Sequence, residues 1–120
     1  MYDHIGLKVR DLDASLRFYE AALGALGHRL DSRYEGGAGL GPEGAPALWL
    51  NADAQAPRGA AHVAFRAPDR AAVDRFHAAG LKSGGRDNGA PGPRPDYGPT
   101  YYAAFLIDPD GHNVEAVCLD

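Results

Sequence analysis

The chain opens on an alternation. From Met1 to Arg10, Ile5, Leu7 and Val9 fall on one side and His4, Gly6 and Lys8 on the other, the period-two pattern of a strand with one buried face. Asp11 then stands where a helix takes its N-cap. Leu12, Leu16, Tyr19 and Leu23 recur at helical spacing up to Gly24, which is placed to end the helix at C′. Arg29 to Glu35 and Ala47 to Asn51 read as strands, with a weaker one at 38–40 between Gly-rich turns. The order then restarts. Ala61, Val63 and Phe65 alternate with His62, Ala64 and Arg66, Pro68 and Asp69 open a second helix striped by Val73, Phe76 and His77, and Gly80 is placed to end it. DPDG at 108–111 has the composition of a tight turn. It joins an apolar strand, Tyr101 to Ile107, to a last one in which Asn113, Glu115 and Val117 alternate with Val114, Ala116 and Cys118.

The two halves are in register. His4 and His62, Asp11 and Asp69, Gly6 and Ala64, Lys8 and Arg66, and Phe18 and Phe76 all stand 58 positions apart. Such self-similarity marks an internal duplication. It predicts an α+β fold: two tandem βαβββ modules, 1–54 and 59–120, forming a curved mixed sheet around a concave site, with two helices on the outer face. If Trp49 corresponds to Glu115 the offset there is 66, so 83–99, rich in Gly and Pro, has gained 8 residues over its counterpart. A long segment of that composition reads as a lid or rim over the site, with Arg94 and Tyr97 as its contacts.

Composition narrows the partners. At 120 residues the chain reads as one domain, and its net charge of −4 without a Lys/Arg cluster argues against nucleic acid and anionic membrane surfaces. A small-molecule substrate is the expected partner. The one cysteine, Cys118, allows no intrachain disulfide and lies on the core phase of its strand; no apolar run reaches membrane-spanning length. A cytoplasmic location is expected.

The duplication turns scattered residues into a set. His4 and His62 share one place on the non-core face of equivalent strands, each with a small residue two positions on, and Glu115 and Trp49 are counterparts on the last strand of each module. The inward positions read His, Trp, His, Glu. Two imidazoles and a carboxylate with open coordination positions suit one divalent ion, Fe, Mn, Ni or Zn. On this reading His4, His62 and Glu115 are the ligands, Glu115 doubles as a proton shuttle, and Trp49 is an apolar wall. Other candidates have plainer roles. Gly39, Gly41 and Gly44 match a dinucleotide fingerprint, but Pro46 and a strand follow where a helix is required. His77 reads as packing, His28 as a loop or strand-edge residue, His112 as a turn residue, and Lys8 and Arg66 as charges at the mouth.

The opening run HIGLKVRDLDASLRFY and the tail DPDGHNVE, set in paired βαβββ units, resemble the vicinal oxygen chelate superfamily: glyoxalase I, extradiol dioxygenases, fosfomycin-resistance transferases and bleomycin-resistance proteins. The resemblance spans the whole chain. It implies a metal-dependent enzyme acting on a small oxygen-chelating substrate by lyase, isomerase, transferase or dioxygenase chemistry. Trp49 stands where glyoxalase I has a fourth ligand, a Glu, which argues against a lactoylglutathione lyase. Tyr101, Tyr102 and His112 are available where the dioxygenases use acid–base groups. Superfamily members generally close their concave modules by dimerising, which implies a homodimer with His4 from one chain and His62 and Glu115 from the other. The alternative is a metal-free binding or sequestering protein of the bleomycin-resistance type, holding an aromatic ligand among Trp49, Tyr101 and Tyr102.

Overall fold

A computed structural model describes all of residues 1–120. Module 1 runs β1 (Ile5–Val9), α1 (Leu12–Gly24), β2 (Arg29–Tyr34), β3 (Gly37–Gly41) and β4 (Leu48–Ala52). Module 2 repeats the order as β5 (His62–Arg66), α2 (Arg70–Lys82), β6 (Arg86–Pro93), β7 (Tyr102–Ile107) and β8 (Asn113–Cys118). Each module is a four-stranded mixed sheet, in the order β1-β4-β3-β2 and β5-β8-β7-β6. No ladder joins the two sheets, and the modules meet through α1 against α2. No helix is long and apolar enough to cross a membrane.

The duplication is visible in the ladders. Gly6 pairs with Trp49 on the parallel β1/β4 pair, and Ala64 pairs with Glu115 on the parallel β5/β8 pair, so Trp49 and Glu115 are structural counterparts. Both helices start alike. The Asp11 carboxylate accepts from Ala14 N at 3.1 Å and the Asp69 carboxylate from Ala72 N at 2.7 Å, each satisfying a donor that the first helical turn leaves open.

Three local expectations are corrected. Gly24 and Gly80 do not stop their helices: Gly24 is the last residue of α1, and α2 continues through Gly80 to Lys82. A Cβ at Gly80 would run into Leu106 of β7 and come within 3.2 Å of the Phe18 ring of α1. Gly80 is therefore there for close approach, and the positive φ after each helix falls at Gly27 and Gly84. The segment 83–99 is not one long loop. Arg86–Pro93 is an edge strand paired with β7 through two register shifts, the second between Gly89 and Gly92. Gly and Pro are tolerated there because bulges and edges leave backbone groups unpaired.

The DPDG turn reaches across to the other module. Asp108 and Asp110 are 3% and 2% exposed, where a turn carboxylate is ordinarily solvated. One Asp108 oxygen accepts from Asp110 N and His112 N, at 2.9 and 2.8 Å, and the other accepts from the Tyr19 hydroxyl of α1 at 2.5 Å. Asp110 accepts from Arg10 N at 3.0 Å and from the Ser15 hydroxyl at 3.2 Å. Burial, and then the charge and hydrogen bond of Asp108, raise the Tyr19 phenol well above its ordinary pKa. The turn is thus a polar latch beside the apolar seam of Phe18, Phe76 and Leu106, all fully buried.

Candidate functional site

The open face of module 2 carries a compact polar group. Glu115, in the middle of β8, is 3% exposed. Its Oε1 lies 3.0 Å from His62 Nε2, and its Oε2 accepts from the Tyr101 hydroxyl at 2.6 Å. His62 Nδ1 lies 3.1 Å from the Asn113 carbonyl oxygen, so Nδ1 carries a proton and donates it. Nε2 is thereby aimed at the carboxylate, and the 3.0 Å gap suits a proton shared between them. Phe105, opposite Glu115 on β7, stacks against the His62 ring with centroids 6.4 Å apart. Desolvation by burial, reinforced by the hydrogen bond to Glu115, pushes the Tyr101 phenol from 10 up to about 12.

That shift has a measurable sign. The phenol is harder to ionise in the folded protein, so its contribution to stability is complete below pH 10 and is lost as pH rises towards about 12. Ultraviolet titration of the tyrosines should show a component near pH 12 that is lost in Tyr101→Phe and moves down in Glu115→Gln, on top of the late ionisation of Tyr19 and Tyr102, which both variants retain. An unchanged titration curve in Tyr101→Phe contradicts the assignment.

The structure places the other sequence candidates as follows. Tyr97 is exposed and lies edge-on to Tyr101 with ring centroids 5.3 Å apart. The Arg94 guanidinium sits 5.4 Å over the Phe105 ring. Its nitrogens donate to the carbonyls of Ala90 at 2.7 Å and Gly92 at 2.9 Å, so Arg94 clamps its own segment over the site. Tyr102 is a correction. One step along the strand from Tyr101, it takes the opposite side, where its hydroxyl donates to Asp74 of α2 at 2.7 Å and Arg70 covers its ring. His77 bonds Asp87 at 2.8 Å as a packing residue. His112 is buried, with Nδ1 accepting from Ala61 N at 3.1 Å.

His4 is not brought to Glu115. It is exposed, with Nδ1 2.6 Å from Asp3, and it shares with His62 a cleft of 570 Å³ between the modules, lined also by Ile5, Leu48, Val63 and Phe65. Nowhere in the chain do three His, Cys, Asp or Glu side chains converge closely enough to hold a metal ion. His62 and Glu115 supply two converging donors, which is short of the usual set of three or more. A single chain therefore does not fit a metal.

The open face of module 1 is built differently. Ala38 and Leu40 of β3 point to the core, while Gly37 and Gly39 give the open side no side chains of their own. Trp49 and Tyr34 lie there with ring centroids 6.3 Å apart, and Tyr34 donates to Asn51 at 2.9 Å. They line a second cavity of 560 Å³ with Asp3, His4, Gly6, Pro46 and Asn51. Phe105, Tyr34 and Asn51 were missed from the sequence. The alternation of glycine in GAGLG at 37–41 was the available signal for the last two.

Comparison with known proteins agrees with this architecture. The chain is similar to a glyoxalase/bleomycin resistance protein from Albidiferax ferrireducens T118, at 31% identity over 98% of both chains with a TM-score of 0.85. Two less similar structures share the fold. A glyoxalase/bleomycin resistance protein/dioxygenase family enzyme from Burkholderia phytofirmans PsJN is 19% identical over 98% of both chains, with a TM-score of 0.76. A glyoxalase/dioxygenase from Nostoc punctiforme is 22% identical over all of this chain and 91% of its own, with a TM-score of 0.74. No match was found among curated proteins. The profile of the Glyoxalase/Bleomycin resistance protein/Dioxygenase superfamily matches residues 2–116. With paired βαβββ modules and this match over nearly its whole length, the chain belongs to the glyoxalase/bleomycin resistance protein/dioxygenase superfamily.

Proposed function

We propose that this protein binds a small molecule without a metal ion, in the manner of the bleomycin-resistance members of its superfamily. The observation that carries the reading is the state of Glu115. Both its oxygens are engaged by groups of its own module, Tyr101 and His62, and no third metal-ligating side chain converges on the pair. A buried carboxylate satisfied in this way is a fixed anchor for neighbouring hydrogen-bonding groups. The Tyr101 hydroxyl, the half-exposed His62 ring and the Phe105 face then offer a ligand one polar pole beside an apolar surface.

The two open faces are complementary half-sites, polar on module 2 and aromatic on module 1. The modules pack through their helices, and the aromatic cavity is lined by module 1 residues alone. A second copy of the chain, in a homodimer, would lay one copy's module 1 face over the other's module 2 face and exclude water from the ligand.

A second reading rests on the His62 geometry. The Asn113 carbonyl fixes the tautomer that leaves Nε2 facing Glu115 Oε1, the orientation that metal-binding histidines generally receive from such a partner. With His4 of a second copy as third ligand, the site would hold a divalent ion. The ion would supply Lewis-acid catalysis on a substrate chelating through vicinal oxygens. One experiment separates the readings. Protein prepared without chelator is dialysed against Zn(II), Mn(II), Ni(II) and, without oxygen, Fe(II), and its metal content is measured. Metal far below stoichiometry is expected. Near-stoichiometric metal that is lost in His4→Ala, His62→Ala and Glu115→Ala would move the conclusion to a metal-dependent enzyme.

A further inference from the structure

We infer that the open face of module 2 binds the oxyanion end of its ligand, a carboxylate or a phosphoryl group, through Arg94. The inference rests on the small-molecule reading above and names the chemical class of that ligand. Ladder partners share a face of a sheet, so Arg66, opposite Val117, and Arg86, opposite Ile107, stand on the side of Glu115 and Phe105. Arg94 joins them, its guanidinium 5.4 Å over the Phe105 ring. None of the three lies within ion-pair distance of a carboxylate.

In a chain with 16 Asp and Glu against 12 Lys and Arg, three unpaired arginines on one sheet face are not a by-product of composition. The duplication sharpens the contrast, because Lys8, the module 1 counterpart of Arg66, has its ammonium 3.9 Å from Asp53. The carboxylates around the module 2 face are committed elsewhere. Both Glu115 oxygens are taken by Tyr101 and His62. Asp87 is turned to the helix side, where it meets His77 and accepts from Gly89 N. Asp3, which lines the cleft beside His62, is held by His4 at 2.6 Å. Asp96 and Asp120 are exposed outside the strands and pair with none of the arginines.

Arg94 differs from the other two in being fixed. Three of its five donors are spent on the carbonyls of Ala90 at 2.7 Å, Gly92 at 2.9 Å and Pro93 at 3.4 Å, while Nε–H has no partner. A planar fork held this way meets two oxygens of a carboxylate or phosphoryl group with little further loss of freedom. Gly89 gives it room: a Cβ there would lie 3.0 Å from the Phe105 ring and 3.4 Å from Arg94 Nη2. The apolar body of the ligand then lies against Phe105. Arg66 and Arg86, on the two edge strands of the sheet, add an attraction that salt screens.

The test uses intact protein stripped of metal by chelating resin. It is titrated with cyclohexanecarboxylate, with cyclohexyl phosphate, and with cyclohexanecarboxamide, the neutral isostere of the first, while the arginine Nε–H resonances are followed. At low salt at least one oxyanion probe is expected to bind about ten-fold more tightly than the carboxamide and to shift the Arg94 resonance. The gap should narrow as salt is raised. Arg94→Gln should bring the ratio close to one, and Arg94→Lys, which keeps the charge but not the fork, should retain about two- to three-fold. Arg75→Gln, the same change of charge at an exposed position on α2, should leave the ratio as it was. The tighter of the two oxyanion probes identifies the group recognised. Equal affinity for the oxyanions and the carboxamide, or no binding of either oxyanion, would overturn the inference. So would a preference that survives Arg94→Gln with all probes weakened alike, which would leave Arg94 as a clamp on its own segment. Stoichiometric metal in the dialysis experiment would overturn the metal-free reading, whereas the anion preference, measured on stripped protein, stands or falls separately.

Discussion

Replacing Asp108 by alanine is expected to cost the folded state about 4 kcal/mol, seen as a lower midpoint in urea unfolding at an unchanged slope. The carboxylate is 3% exposed and accepts three hydrogen bonds, from Asp110 N, His112 N and the Tyr19 hydroxyl. Alanine leaves all three donors without a partner, and each buried donor so orphaned costs about 1–3 kcal/mol. Two of the bonds shape the turn itself, and the third ties module 2 to α1 of module 1. Asp108→Asn keeps one carbonyl oxygen and should lose less than half as much. A midpoint in Asp108→Ala equal to that of the parent would show that the latch is dispensable.

Phe18→Ala should be comparably severe, at about 3–5 kcal/mol. The ring is fully buried, packs edge-on against Tyr19 with centroids 4.9 Å apart, and approaches Gly80 and Gly85 of module 2 so closely that neither could carry a Cβ without moving it. Removing it opens a void at the seam between modules, which α1 and α2 cannot collapse without shifting both sheets. Thermal and urea unfolding should both record the loss. A change below about 1 kcal/mol would mean that the seam repacks, and that the helix contact is not what joins the modules.

The architecture was legible because the duplication wrote the same pattern twice. His4/His62, Asp11/Asp69 and Phe18/Phe76 sit at one offset of 58, and the ladders place Trp49 and Glu115 as counterparts at the longer offset of 66 that aligning the last strands of the two modules required. What periodicity could not supply was the environment of each side chain. DPDG reads as a turn by composition, and it is one, but that its two carboxylates are buried against Arg10, Ser15 and Tyr19 depends on contacts 89 to 100 residues away in sequence. Arg86–Pro93 hid as a strand because its Gly and Pro carry loop propensity, while its pairing with β7 depends on tertiary context. Tyr101 and Tyr102 were indistinguishable by type. Only the pleat of the sheet sends one hydroxyl to Glu115 and the other to Asp74.

The candidate site divides the same way. His62 and Glu115 meet as the repeat implied, yet His4 stays with Asp3, because equivalent positions in two modules face each other only if the modules themselves do. Within the chain they pack helix to helix.

The central claim is that a proton, not a metal ion, occupies the 3.0 Å between His62 Nε2 and Glu115 Oε1. Nitrogen-15 spectra of the histidine rings, recorded before and after stoichiometric Zn(II), measure this directly. The account predicts His62 Nδ1 and Nε2 resonances of a ring protonated at Nδ1 and hydrogen-bonded at Nε2, unmoved by the metal. A joint shift of His62 Nε2 and a His4 ring nitrogen at stoichiometric Zn(II) would contradict it.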